Sequence, residues 1–172
     1  MLFASYQVNA NLPTVLFYMH LDGQPVDPTK WNQEDPYIPV LKKKANDGTW
    51  ETISWDLIEK DINPDWRIFG RSAADDKGPI IGLLHSFDIL KKENLKPSFN
   101  IKVILDSEEE MGSQYLAEAV AEYEALLGAD VLIINDGPVH ISGKPTLIFG
   151  CRGITRVDLT VFGASKPQHS GH

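Results

Sequence analysis

An α/β fold built on a three-layer, mostly parallel sheet is what this sequence predicts, and three observations predict it. Stretches of strand length rich in apolar residues recur at residues 15–19, 99–105 and 131–134, and the first of these is Val-Leu-Phe-Tyr-Met, with no polar alternation. Runs of that kind suit strands covered on both faces better than half-exposed ones. Between them lie stretches with helical spacing, and a histidine or an acidic residue stands within two positions of the end of each run. In open α/β sheets the carboxyl edge of the strands is where ligands sit.

Taken in order, residues 1–13 offer no clear element. Pro13 before the first run and Gly23 and Pro25 after it favour a strand there. Residues 23–52 hold many turn formers, among them Pro28, Pro36, Pro39 and Gly48, and form an excursion too long to be idle in a compact domain. Residues 50–61 alternate loosely, the pattern of an edge strand. Residues 67–79 give a short strand, a polar turn and a helix start. Pro79 suits the first helical position, and Ile80, Ile81, Leu83, Leu84, Phe87 and Leu90 then make a broad apolar face that ends at Lys91 and Lys92. A second helix spans about Ser113 to Leu127 and closes at Gly128, and residues 130–135 form a third buried strand. Strand and helix alternating in this way imply right-handed crossovers. Residues 146–149 read as a further strand. Residues 154–162 change to the two-residue period of a half-exposed antiparallel strand, which places a domain boundary near Thr155, with one domain over 1–154 and the start of another over 155–172.

Composition narrows the function classes. A chain of 172 residues with 42% hydrophobic and 23% charged residues has ordinary globular proportions. No apolar stretch approaches the ~20 residues of a membrane span. A net charge of −8 argues against a nucleic-acid phosphate footprint, and Lys42-Lys43-Lys44 reads as a solvated loop. The single cysteine, Cys151, excludes an internal disulfide and a Cys-rich zinc site. The N-terminus lacks a basic region and a small-residue cleavage site, so a cytoplasmic location is expected.

The chemistry gathers at the strand ends: His20 and Asp22, Asp75 and Asp76, Glu109 and Glu110, and Asp136. Singly, each has an ordinary explanation: a hydrogen-bonded histidine at a sheet edge, a helix N-cap, a solvated charge run ahead of a helix, and a turn aspartate. Together, parallel strands would bring one imidazole and six carboxylates to one edge. Carboxylates so crowded either share protons or recruit a cation. A mixture of nitrogen and oxygen donors suits Zn²⁺, Mn²⁺ or Co²⁺ better than Ca²⁺.

The segments His20-Leu-Asp22, Gly70-Arg-Ser-Ala-Ala-Asp75-Asp76-Lys-Gly-Pro79, Glu109-Glu110-Met-Gly-Ser113, Asn135-Asp136 and His169-Ser-Gly171 resemble, in order, the motifs of the M20 family of di-zinc peptidases and deacylases, nearest its carnosinase-like and PepV-like dipeptidases. The resemblance implies the fold of the zinc-dependent exopeptidases, with the first strand of a lid domain after residue 154. It implies two Zn²⁺ ions, with His20 and Asp136 on one, Glu110 on the other and Asp75 bridging. Asp22 would orient His20, and Glu109 would be the general base acting on water. His169 would reach a partner subunit's site and stabilise the oxyanion, in a homodimer formed through the lid. The Asp75-Asp76 peptide would be cis, and an aspartate at position 136 matches dipeptidases and aminopeptidases of the family more than carboxypeptidases.

The family needs a fifth ligand, a histidine, for which His85 in a helix pattern and His140 in a loop are no substitutes. The chain is therefore expected to be a fragment, short at the C-terminus and at the N-terminus. As such it would hold at most one metal and have little activity. Two other functions fit the same residues less well: an N-acyl amino-acid deacylase sharing the metal site, and a non-catalytic α/β binding module, which would want a Gly-rich phosphate turn where His-Leu-Asp-Gly-Gln-Pro stands.

Overall fold

The computed structural model describes residues 1–163 and 166–168. It divides into two compact units, Met1–Gly137 and Pro138–His172. In chain order the elements are β1 (Leu2–Tyr6), β2 (Thr14–His20), β3 (Val40–Lys44), β4 (Trp50–Ile53), β5 (Arg67–Phe69), α1 (Lys77–Lys92), β6 (Asn100–Asp106), α2 (Leu116–Glu122), α3 (Glu124–Leu127) and β7 (Val131–Ile134).

The main sheet has the order β1-β6-β2-β7. β2 runs parallel to both β6 and β7, and β1 is antiparallel to β6. The protein is thus α/β with a mostly parallel sheet, as the apolar runs predict. The β2–β6 register carries Thr14 opposite Asn100 through to His20 opposite Asp106, so both strands end side by side at the carboxyl edge. Leu16 and Ile104 join Leu127 of α3 in the core, with Phe3 and Tyr18 packed against it. Leu16 and Tyr18 are two residues apart and so share one sheet face, and Tyr18 lies opposite Ile104.

Several expectations are corrected. Residues 1–13 do contain a strand: β1 pairs along its whole length with β6. A five-residue segment of this kind is specified by its partner more than by its own propensity. Lys42 is not solvated. It lies in β3 at 3% exposure, donating to the Asn32 carbonyl at 2.7 Å with its ammonium 4.7 Å from the centre of the Phe69 ring. β3 also organises a second, antiparallel sheet of order β4-β3-β5. The strand ahead of Asp75 and Asp76 therefore belongs to this sheet and not to the parallel one. The broad apolar face of α1 narrows to a half-buried stripe of Ile80, Leu83, Phe87 and Leu90, while Ile81 and Leu84 are exposed. α1 begins at Lys77, which puts Pro79 third in the helix, still within the turn where its missing N–H is no loss. The second helix breaks at Tyr123 into α2 and α3. β7 is exposed and not buried: within the sheet it pairs with β2 alone.

Within the second unit, the described residues form no helix or strand, including residues 146–149 and 154–162. The alternation at 154–162 has no pairing strand among the described residues, and Ile154, Leu159 and Phe162 are open to solvent. Among the described residues no helix is long and apolar enough to cross a membrane.

Candidate metal centre

β2 ends on His20 because its run of large apolar residues is spent there. The imidazole is completely buried. Its Nδ1 lies 3.2 Å from Asp22 Oδ1, while its Nε2 lies 2.8 Å from Asp75 Oδ1 and 3.8 Å from Asp136 Oδ2. One ligand atom from each of His20, Asp75 and Asp136 falls within 4.8 Å of the others. Three different routes deliver them: the end of β2, the turn between β5 and α1, and the segment just after β7.

The turn that carries Asp75 and Asp76 is held tightly. The Arg71 N–H donates to the Pro36 carbonyl at 2.7 Å, and the Lys77 N–H to the Ser72 carbonyl at 3.1 Å. Ser72 is buried with a left-handed φ of 61°, and its hydroxyl donates to the Asp22 carbonyl at 3.2 Å. Gly78 is required by close approach, since a Cβ there would stand 2.6 Å from the Ala73 carbonyl oxygen. The Asp75-Asp76 peptide is cis, as the family resemblance implies. Asp76 is at the N-cap of α1 but makes no side-chain cap. Its Oδ2 instead accepts the His20 backbone N–H at 3.1 Å, and its Oδ1 is buried without a hydrogen-bond partner.

Glu109 and Glu110 sit in a single 3₁₀ turn, Glu109–Met111, closed by Gly112 at a left-handed φ of 91°. Glu110 stands apart from the triad. Its Oε2 accepts from Gln24 Nε2 at 2.6 Å, and its backbone N–H donates to Asp22 Oδ2 at 3.1 Å. Asp22 therefore joins two motifs, facing His20 with one oxygen and the acid turn with the other.

Electrostatics follow from this crowding. Burial by itself would push the His20 imidazole down. The hydrogen bond to Asp75 and the charges of Asp75, Asp76 and Glu109 outweigh it and hold the group above its usual value. Burial pushes the Asp76 carboxyl up to about 6; Asp136 and Asp75 add to the rise, against the His20 N–H and the His20 charge. Glu109 is raised by burial and by the charges of Glu110, Asp136 and Asp22, against the pull of His20. An excess of negative charge, an orphaned buried carboxylate oxygen and an imidazole nitrogen aimed at two carboxylates form a donor set that fits a divalent cation of the zinc type.

Of the residues singled out in the sequence, His20, Asp22, Asp75, Asp136, Glu109 and Glu110 lie around one edge of the sheet, with Glu110 turned to Gln24. His169 lies outside the described residues. His85 is on the exposed surface of α1. Three residues not singled out for chemistry also take part: Gln24, Ser72, which stands within the Gly70–Pro79 motif, and Asp106. Asp106 ends an apolar strand on an acid, a signal that the sequence carries.

The chain matches the model of peptidase family M20/M25/M40 over residues 16–170. It is 31% identical over 160 residues to a Cys-Gly metallodipeptidase of Schizosaccharomyces pombe, covering 92% of this chain and 29% of that protein. It is 29% identical to the Beta-Ala-His dipeptidase of Homo sapiens, covering 92% of this chain and 27% of that one. Among solved structures it is similar to an M20 family metallo-carboxypeptidase of Sulfolobus solfataricus, with a TM-score of 0.61 and 29% identity over 83% of this chain and 27% of that one. The chain spans under a third of the length of either dipeptidase. The order of the motifs, the mostly parallel sheet and the match along nearly the whole sequence place the chain in peptidase family M20/M25/M40.

Proposed function

We propose that this chain supplies most of the metal ligands and the general base of a two-metal dipeptidase that cleaves the amide bond of dipeptides or short peptides. The observation that carries the reading is the convergence of His20 Nε2, Asp75 and Asp136, with Asp22 holding the opposite ring nitrogen. An imidazole ligand whose other nitrogen is fixed by a carboxylate has its tautomer and direction set in advance. The names of the related dipeptidases support the substrate class.

On this reading His20, Asp136 and Asp75 would hold one Zn²⁺, and Glu110 with Asp75 the other, with Mn²⁺ or Co²⁺ as replacements. The ions, when bound, supply Lewis acidity that lowers the pKa of water and polarises the scissile carbonyl. Glu109 accepts the proton of the attacking water and delivers it to the leaving amine. Glu110 has no imidazole beside it among the described residues, so the chain alone binds one ion firmly and the second weakly, with little or no turnover. His169 and a homodimer formed beyond residue 154 complete the proposal.

The test is made on the chain and on a protein carrying this segment at the length of those relatives. Metal analysis of the chain should find one firmly held ion, lost in His20→Ala. In the longer protein, Glu109→Gln should retain its metal and lose roughly 10²–10⁴-fold in turnover of dipeptides. A panel including N-acetyl and N-succinyl amino acids separates a dipeptidase from a deacylase. Wild-type chain without bound zinc, or Glu109→Gln with unchanged turnover, would overturn the reading.

A further inference from the structure

Directly behind the turn bearing Glu109 and Glu110 lies a second carboxylate centre that the metal chemistry does not use. Asp106, at the end of β6, is only 4% exposed. Its Oδ2 accepts from the Tyr18 hydroxyl at 2.9 Å and the Ser113 hydroxyl at 2.7 Å, and its Oδ1 accepts the Glu108 backbone N–H at 3.0 Å. Its carbonyl accepts the Leu21 N–H at 2.7 Å, between His20 and Asp22. One residue thus ties β2, the His20–Asp22 turn and both ends of the 107–113 loop. Within that loop the remaining bonds are local: the Met111 and Ser113 N–H groups reach the Glu108 carbonyl, and the Gly112 N–H reaches that of Glu109. Such bonds close the turn on itself without fixing it to the sheet. Apart from Asp106, the loop's side chain and backbone are joined to the site through Gln24 and Asp22, at Glu110.

We propose that Asp106, gripped by Tyr18 and Ser113, is a positioning residue that sets where Glu109 and Glu110 stand relative to His20, Asp75 and Asp136. This rests on the dipeptidase reading for its purpose but not for its test. The carboxylate is the hub because it can accept from three donors at once, while each donor comes from a different part of the chain: the neighbouring strand, the near end of the loop and the far end. Fixing residues behind a ligand typically govern its metal affinity by ~10–100-fold when removed.

The test uses the full chain with Tyr18→Phe, Ser113→Ala and the double variant, which leaves Asp106 the single donor Glu108 N–H. Ser113 has a left-handed φ of 48°, which glycine adopts freely, so Ser113→Gly, losing the hydroxyl without a side chain to strain, serves as the backbone control. In metal-free protein, amide hydrogen exchange at Glu108, Met111, Gly112 and Ser113 should accelerate by about tenfold or more in the double variant, while β2 and β6 amides keep their protection. In a Co²⁺ titration read by visible absorption, the first equivalent, at His20, Asp75 and Asp136, should bind with unchanged affinity. The second should weaken by ~10-fold or more, and Ser113→Gly should weaken it as Ser113→Ala does. Unchanged loop exchange in the double variant would overturn the proposal, as would loss of protection spread evenly over β2 and β6. Wild-type chain that took up no Co²⁺ would instead sink the metal reading, and the exchange data alone would then decide whether Asp106 holds the loop.

Discussion

At the scale of single residues, Asp22 does more than its place in a short motif indicates. A His-x-Asp spacing explains one of its contacts, the 3.2 Å approach to His20 Nδ1. The other, to the Glu110 N–H at 3.1 Å, spans 88 positions and has no sequence signature at all. Asp22 is therefore expected to couple ring orientation to the position of the acid turn. Asp22→Asn keeps the side-chain shape and one acceptor but removes the charge that makes the imidazole a stronger donor. Zinc affinity measured by competition with a chelator should fall by ~10–100-fold, with the fold intact by circular dichroism. An affinity within about twofold of wild type would show that His20 is oriented without Asp22.

At the scale of elements, the strand-to-loop junction at Asp106 has a consequence for acid stability. Burial would raise its carboxyl, but the Ser113 hydroxyl, the Glu108 N–H and the Tyr18 hydroxyl hold it below the ordinary value of 3.8. A carboxylate with a depressed folded value contributes stability that is fully present above pH 3.8 and is lost as pH falls through that lower value. Asp106→Asn should cost roughly 1–3 kcal/mol at neutral pH and flatten the acid limb of the stability curve, measured by urea unfolding at stepped pH. A parallel shift at every pH would locate the loss in packing and not in charge. The elements also differ in how far they could be read in advance. β2, β6 and α1 were legible because an unbroken or periodic apolar run is a local property. β1 and β3 were not, since Leu2–Tyr6 becomes a strand only through β6, and Lys42 is buried only because Phe69 and the Asn32 carbonyl receive it. The site was legible at its strand ends for the same local reason. The roles of Gln24, Ser72 and Asp106 have no local signature, because they lie in hydrogen bonds formed across the fold.

At the scale of the whole molecule, the first unit brings together, at one sheet edge, charges that repel one another. Asp75, Asp76, Glu109 and Asp136 all act on one another or on His20, and the buried Asp76 is pushed up to about 6 with one oxygen unpartnered. A folded state that concentrates charge in this way is one that a cation stabilises more than it does the unfolded chain, where the same carboxylates are far apart. Binding to the native state alone adds RT ln(1 + [L]/Kd), about 2.7 kcal/mol at a hundredfold excess over Kd. Thermal unfolding of the chain should therefore shift upward with added Zn²⁺ or Co²⁺ and return on chelation. The shift should vanish in His20→Ala and Asp136→Ala but survive in Glu110→Ala, because only the first two belong to the preformed cluster. Equal loss in all three variants would mean that Glu110 swings from Gln24 into the first site on binding, and the division between a firm ion and a weak one would have to be abandoned.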